Sequence, residues 1–207
     1  MKKTLLLTSF LIPSFANGAV GFFGSYINVT THTSALWYDL TPPGGGRASD
    51  PADFAGHDFG TFDPGTQTLT LTGAEGLTFK NSGGDVTGIN FNYSIQPTGG
   101  THVFTEVGVG FSNNATFADA AGTTYSGGGD QKWSDSSGWA PVDILSGLAD
   151  GTYEIQVFLR GTSNEGDFFA SNGGSNYTAT FTVAAVPEPS SALLGSLALI
   201  GLIRRRR

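Results

Sequence analysis

Hydrolytic or transfer chemistry needs an activated nucleophile, a pair of carboxylates or a bound metal, and this chain offers each only in outline. No serine has glycine at both −2 and +2, so the G-x-S-x-G turn that presents a hydrolase serine is missing. His32, His57 and His102 share no H-E-x-x-H or other paired spacing, which places them at the surface or at strand edges. Cysteine is absent, and with it disulfides, thiolate metal sites and a cysteine nucleophile. Glu75, Glu106 and Glu154, the glutamates nearest the apparent strands, are the candidates for a glycosidase acid and base, although pairs arise by chance among so many acids. Asp50, Asp53, Asp58 and Asp63 put four carboxylates in a Gly- and Pro-rich stretch, and hard oxygen ligands of this kind suit calcium. The D-x-[DN]-x-[DN]-G pattern with its distal glutamate is not there, however, and turn aspartates bonding their own backbone are the commoner case. The expectation is no catalytic residue, no metal site and no cofactor, with calcium the one metal to look for.

One further group is chemical in a softer sense. Tyr125, Trp133 and Trp139 lie in a polar Gly/Ser/Asp segment, where flat rings stack on the apolar faces of sugars and nearby Asp or Asn bonds their hydroxyls. The competing role for the two indoles is to plug the open end of a β-sandwich.

Strands must position all of these. Apolar residues come in short alternating runs separated by Gly, Asn, Asp and Pro, the punctuation of strands rather than of helices. Runs are read at Gly21–Thr31 and Ala35–Leu40, then a long irregular connection at Thr41–Gly65. Thr66–Thr72 alternates, Gly73–Gly76 reads as a turn, and Leu77–Lys80 follows. Val86–Gln96 puts Ile89, Phe91, Tyr93 and Ile95 on one face, and His102–Phe111 does so with Val103, Thr105, Val107 and Val109. After a second long loop at Ser112–Pro141 and a short apolar piece at Val142–Leu148, Thr152–Leu159 and Tyr177–Val183 form the clearest pair. Eight to ten strands without a helix predict an all-β fold, an antiparallel β-sandwich of jelly-roll or immunoglobulin-like type over residues 19–185.

The two ends read differently. Lys2 and Lys3, the apolar stretch Leu5–Phe15 and small residues up to Gly18 and Ala19 have the three parts of a secretory signal peptide, residues 1–18. At the other end Val186-Pro187-Glu188-Pro189 stops any ladder, and the apolar run Ser191–Ile203 makes about 20 Å of helix, short of a ~30 Å hydrocarbon core. Arg204, Arg205, Arg206 and Arg207 favour the cytoplasmic side of such a transmembrane helix, which leaves the body outside. Without its ends the body has four basic residues, Arg47, Lys80, Lys132 and Arg160, against 16 acids, a balance near −12. Such a surface repels phosphate backbones, so nucleic acid is not an expected partner.

Pro187-Glu188-Pro189, the short apolar run and the arginine cluster together resemble the PEP-CTERM sorting signal over residues 186–207. The resemblance implies processing by an exosortase, a membrane cysteine protease of Gram-negative bacteria, after signal peptidase has acted. It implies export across the inner membrane with transient anchoring by the C-terminal helix. It further implies a final place at the cell surface or in the biofilm matrix, beside extracellular polysaccharide. The expected role is then structural or adhesive and non-catalytic; the alternatives are a carbohydrate-binding module for the exopolysaccharide and, behind it, a glycoside hydrolase. Within the body Asn81–Gly88, Asp130–Trp133, Leu145–Leu148 and Gly151–Ile155 resemble a β-module recurring in secreted bacterial proteins, and no activity follows from that resemblance.

Overall fold

A computed structural model describes residues 19–41, 50–134 and 139–184. The signal peptide and the sorting signal with its apolar run lie outside the described residues. In chain order the strands are β1 (Ala19–Thr31), β2 (Ala35–Asp39), β3 (Asp58–Phe62), β4 (Leu69–Asn81), β5 (Val86–Pro97), β6 (Thr105–Val109) and β7 (Phe111–Asn113). There follow β8 (Phe117–Ala118), β9 (Thr124–Tyr125), β10 (Gln131–Ser134), β11 (Val142–Asp143), β12 (Gly151–Ser163), β13 (Gly166–Ala170) and β14 (Tyr177–Val183). The count exceeds the expected ten because four pieces, β7, β8, β9 and β11, are only two or three residues long.

These strands make the expected sandwich. One sheet runs β2-β1-β4-β10-β7 with β11 also on β4, and the other runs β3-β14-β12-β5-β6 with β13 also on β12. All pairings are antiparallel except β3 with β14. The alternation of β12 and β14 is followed residue by residue: Tyr153, Ile155, Val157 and Leu159 are buried, as are Tyr177, Ala179, Phe181 and Val183. On β5, Ile89 and Phe91 are buried while Tyr93 and Ile95 pack against the same core. Ile27 and Val29 of β1 and Leu69, Leu71 and Ala74 of β4 close that core from the first sheet.

The structure corrects three expectations. Gly73–Gly76 is not a turn, since β4 runs unbroken through it. The glycines serve close packing instead: a Cβ on Gly76 would sit 3.1 Å from the Phe22 ring, and one on Gly73 would touch Trp37. His102–Phe111 is not one strand either. Gly110 divides β6 from β7, and the chain there leaves one sheet for the other. Val103 is therefore 73% exposed while Val109 is buried. Third, the segments read as long loops hold strands: β3 lies within Thr41–Gly65 and β8, β9 and β10 within Ser112–Pro141, while between the two strands of the clearest pair β12 runs on to Ser163 and β13 follows.

The edge of β12 is shared by two strands. Both β13 and β14 run antiparallel to it on the same side, β13 opposite Leu159–Ser163 and β14 opposite Gly151–Val157. They act as one strand interrupted at Phe158, where residues 171–176 leave the ladder and return. The excursion is coiled on itself, Gly174 and Asn176 N–H both donating to the Ser171 carbonyl at 2.9 Å. Asn172 and Asn176 hold φ of 49° and 60°, the left-handed region that asparagine tolerates better than most side chains.

Phe168 of β13 points inward, meeting Phe22 at 4.9 Å between centroids and packing its ring end against Gly161 of β12. A Cβ on Gly161 would collide with the end of that ring. Gly161→Ala should therefore cost about 1–3 kcal/mol, read as a melting point lower by roughly 2–4 °C per kcal/mol. Gly161→Ala combined with Phe168→Leu should recover part of the loss; strictly additive losses would show that the ring does not define the site.

Candidate functional site

The described part of the body holds two places with more than ordinary chemistry, a buried polar cluster and an open cleft. The cluster forms where the β8–β9 hairpin folds over the outer face of the first sheet. Tyr26 and Leu77 are on that face because their neighbours Ile27 and Gly76 face the core, and Phe117 of the hairpin packs on them with Phe23, Trp37 and Tyr125.

Glu75 of β4 lies beneath the hairpin, paired in register with Tyr26 of β1 and Ser134 of β10. Its Oε2 meets Lys132 Nζ at 2.7 Å, and its Oε1 accepts the Ala120 N–H at 2.9 Å. Lys132 also donates to the Ala118 carbonyl at 2.6 Å. Asp119 accepts from Thr123 N–H at 2.7 Å, Tyr125 hydroxyl at 3.1 Å and Tyr26 hydroxyl at 3.3 Å. Burial pushes the Glu75 carboxyl above its ordinary value, with Asp119 adding to the rise, while Lys132 and the Ala120 N–H pull it back. The Glu75–Lys132 ion pair joins β4 to β10 within the sheet, and the bonds to the Ala118 carbonyl, the Ala120 N–H and the Tyr26 hydroxyl tie the hairpin to that sheet. Glu75 and Asp119 are 2% and 6% exposed, so the pair ties the hairpin down and presents no face to a substrate.

The other glutamate candidates stand elsewhere. Glu106 accepts from Asn90 and Arg160, and Glu154 lies 3.5 Å from His102 Nε2, both on the second sheet. The three histidines have separate surroundings: His32 lies edge-on to Phe62, and His102 Nδ1 bonds Ser94 Oγ. His57 packs between Tyr38 and Phe59, where burial lowers its pKa against the opposing pull of Asp58. The four aspartates disperse as well. Asp63 accepts the Gly65 N–H in a turn and Asp58 the Gly60 N–H within β3, Asp53 pairs with Asp39 through the backbone, and Asp50 shares the one Tyr26 hydroxyl proton with Asp119. Among the described residues no three His, Asp or Glu gather so as to hold a metal ion.

The three aromatic candidates do not share a surface. Trp133 on β10 is 6% exposed, donates its indole N–H to Thr78 Oγ1 at 3.0 Å and meets Phe111 edge-on, so its ring is core. Trp139 leans on Phe91 at 5.1 Å and donates to the Leu71 carbonyl. Tyr125 belongs to the hairpin clamp, against Phe23 and Phe117.

The cleft, about 280 Å³, opens between β1 and the excursion at 171–176. A β-bulge builds one wall: Phe22 pairs with Thr78 and Gly24 with Leu77, leaving Phe23 as the extra residue. Ser171 and Asn172 form the opposite wall, Tyr177 and Ser25 lie deep, Thr41 contributes a hydroxyl, and Phe169, 54% exposed, stands at the rim. Burial raises the Tyr177 pKa, with the charge of Asp39 adding to the rise and the Asn172 backbone opposing it. No charged side chain is among the described residues that line this cleft. Sequence reasoning passed over it, because Ser171–Gly174 reads as ordinary loop; the only available cue was the Asn-Gly-Gly run, which invites left-handed backbone.

Residues 185–207 match the family model of the PEP-CTERM protein-sorting motif. No curated protein matches the chain. Among solved structures the chain is similar to the CooA pilin subunit from enterotoxigenic Escherichia coli at 10% identity, covering 77% of this chain and 99% of that one, with a TM-score of 0.26. A similarity that low carries no argument. The sorting motif does: it marks an exported protein of a Gram-negative bacterium that is processed at the membrane by an exosortase.

The clamp has a measurable signature. A carboxyl whose folded pKa is raised favours the fold when protonated, so that contribution is complete below the unfolded value of 4.5 and is lost as pH rises through the folded value. Relative to Glu75→Gln, the wild-type protein should therefore lose stability with rising pH across that window and show a constant difference below it. Melting curves that stay parallel from pH 4 to 8 would show that Glu75 does not titrate as a buried group.

Proposed function

We propose that this protein is a non-catalytic, structural or adhesive component of the exopolysaccharide matrix, carried outside by its sorting motif and held there by its β-sandwich. The observation that carries the reading is the join between body and signal. β14, a fully integrated strand of the second sheet, ends at Val183, and the motif begins at residue 185, so the whole sandwich is the cargo. The carboxylates support the non-catalytic part. Glu75 and Asp119 are spent on the hairpin clamp, Glu106 and Glu154 on surface partners, and none lines the cleft. A glycosidase places its two carboxyl groups roughly 5–10 Å apart across one cleft. The acidic body suits a protein that stays soluble while crowded among polymer chains.

In the producing cell, an epitope placed in the body should be recovered from the extracellular matrix fraction in a form shortened at its C-terminus. Glu188→Ala should leave the full-length chain in the membrane fraction. A body found free in the medium and absent from the matrix would defeat the proposal. So would any shortening of matrix polysaccharide on incubation with the protein, which size-exclusion chromatography would reveal.

A further inference from the structure

We infer that the cleft between Phe22–Ser25 and Ser171–Gly173 is a subsite for one uncharged sugar ring of an extracellular polymer; the inference rests on the matrix reading above and assigns the contact that reading lacks.

Four features point the same way. The first is charge. The body carries roughly four acids for each base, yet the described lining of the cleft has no ionised group. The nearest described carboxylate, Asp39, is 1% exposed and already accepts the Thr41 hydroxyl at 2.6 Å. The described lining therefore suits a neutral ligand better than an ionised one.

The second is the mixture of groups. Phe22 and Phe23 supply apolar ring surface, Phe169 offers more at the rim, and Ser171, Asn172 and Thr41 bring hydroxyl and amide groups. A sugar ring is amphipathic in the matching sense, with C–H faces for the aromatics and equatorial hydroxyls for the polar groups. Thr41 Oγ1 already donates to Asp39 Oδ2 at 2.6 Å and Asn172 Nδ2 to the Asn176 carbonyl at 3.3 Å, so these side chains offer a ligand their remaining acceptor and donor capacity. The volume, about 280 Å³, lies at the lower end for small-ligand sites and fits one ring rather than a folded chain.

The third is preorganisation. The wall at 171–176 is closed by its own bonds, with Asn172 Nδ2 donating to the Asn176 carbonyl at 3.3 Å, and Ser25 Oγ is fixed on the Leu40 carbonyl at 2.9 Å. Both walls are departures from a regular ladder, a bulge on β1 and an excursion on the β12 edge, and both end on this cleft. Little ordering is then left for the ligand to bring about.

The fourth is position. Tyr177, at the first residue of β14, lines the cleft, whereas the chain departs for the sorting motif after Val183, about 20 Å further along the strand. The cleft and the attachment point of the sorting motif therefore lie at opposite ends of β14.

The test is affinity electrophoresis of the full chain in mild detergent through gels containing a neutral polymer (dextran, hydroxyethyl cellulose or galactomannan) or the anionic polygalacturonate. Retardation by at least one neutral polymer and none by polygalacturonate is expected. Asn172→Asp, which keeps shape and left-handed tolerance but adds charge, and Ser171→Trp, which fills the space, should each weaken retention by about tenfold or more. Their melting points should stay within about 2 °C of the parent, a loss of about 1 kcal/mol or less. Unchanged mobility in all three neutral polymers overturns the inference, as does retention that survives both substitutions. Recovery of the variants from the matrix of producing cells separates the two readings. A body that remains in the matrix without retardation by neutral polymer defeats the cleft alone, whereas loss of the wild-type body from the matrix defeats the function proposed above.

Discussion

The ladder on β12 is the constraint on which the second sheet rests. Thirteen residues from Gly151 to Ser163 alternate inward and outward, with β5 bonded along one edge and β14 then β13 along the other. Shifting β12 by one residue would turn Tyr153, Ile155, Val157 and Leu159 outward together, so its register is held by the whole core. Because that register is fixed, the point where its edge is interrupted is fixed too. The point at which the excursion opposite Phe158 leaves and rejoins the sheet is therefore set by the core.

The first sheet solves a different problem. It must accept the same core on its inner face and a second small hydrophobic cluster on its outer face, so β4 is buried over much of its length on both sides. Burying Glu75 within it costs solvation, which Lys132, the Ala120 N–H and the hairpin offset. The short β8–β9 hairpin would not hold by its own two-residue strands. Its attachment to Glu75 and through Asp119 to Tyr26 holds it in place.

Alternation was the most legible signal. β5, β12 and β14 followed it closely because each has a single buried face, and a period of 2 has no other reading there. Glycine was the least legible. Gly73 and Gly76 look the same in sequence as turn glycines, and only the position of Phe22 and Trp37 across the sheet shows that they make room for rings. Gly110 marks a change of sheet that no local pattern announces. The tail was readable as three ordered parts at fixed spacing, whereas the cleft is assembled from β1, the end of β2 and the 171–176 excursion, segments about 150 residues apart at the extremes. The indole of Trp133 shows the same limit: composition placed it in a polar loop, and pairing of β10 with β4 turned it into the core.

The parallel pairing of β3 with β14 has a mechanical consequence. A load applied through the C-terminus enters the sheet through β14 at Val183. β14 is bonded on one side to β12 through seven residue pairs and on the other to β3, with Ala184 N–H still held by the Phe62 carbonyl. Tension along the strand axis is then carried as shear by two ladders at once, instead of peeling one bond at a time from a free edge. A body pulled from its C-terminal end by a cell or by flowing polymer meets that pull with a strand bonded along both edges.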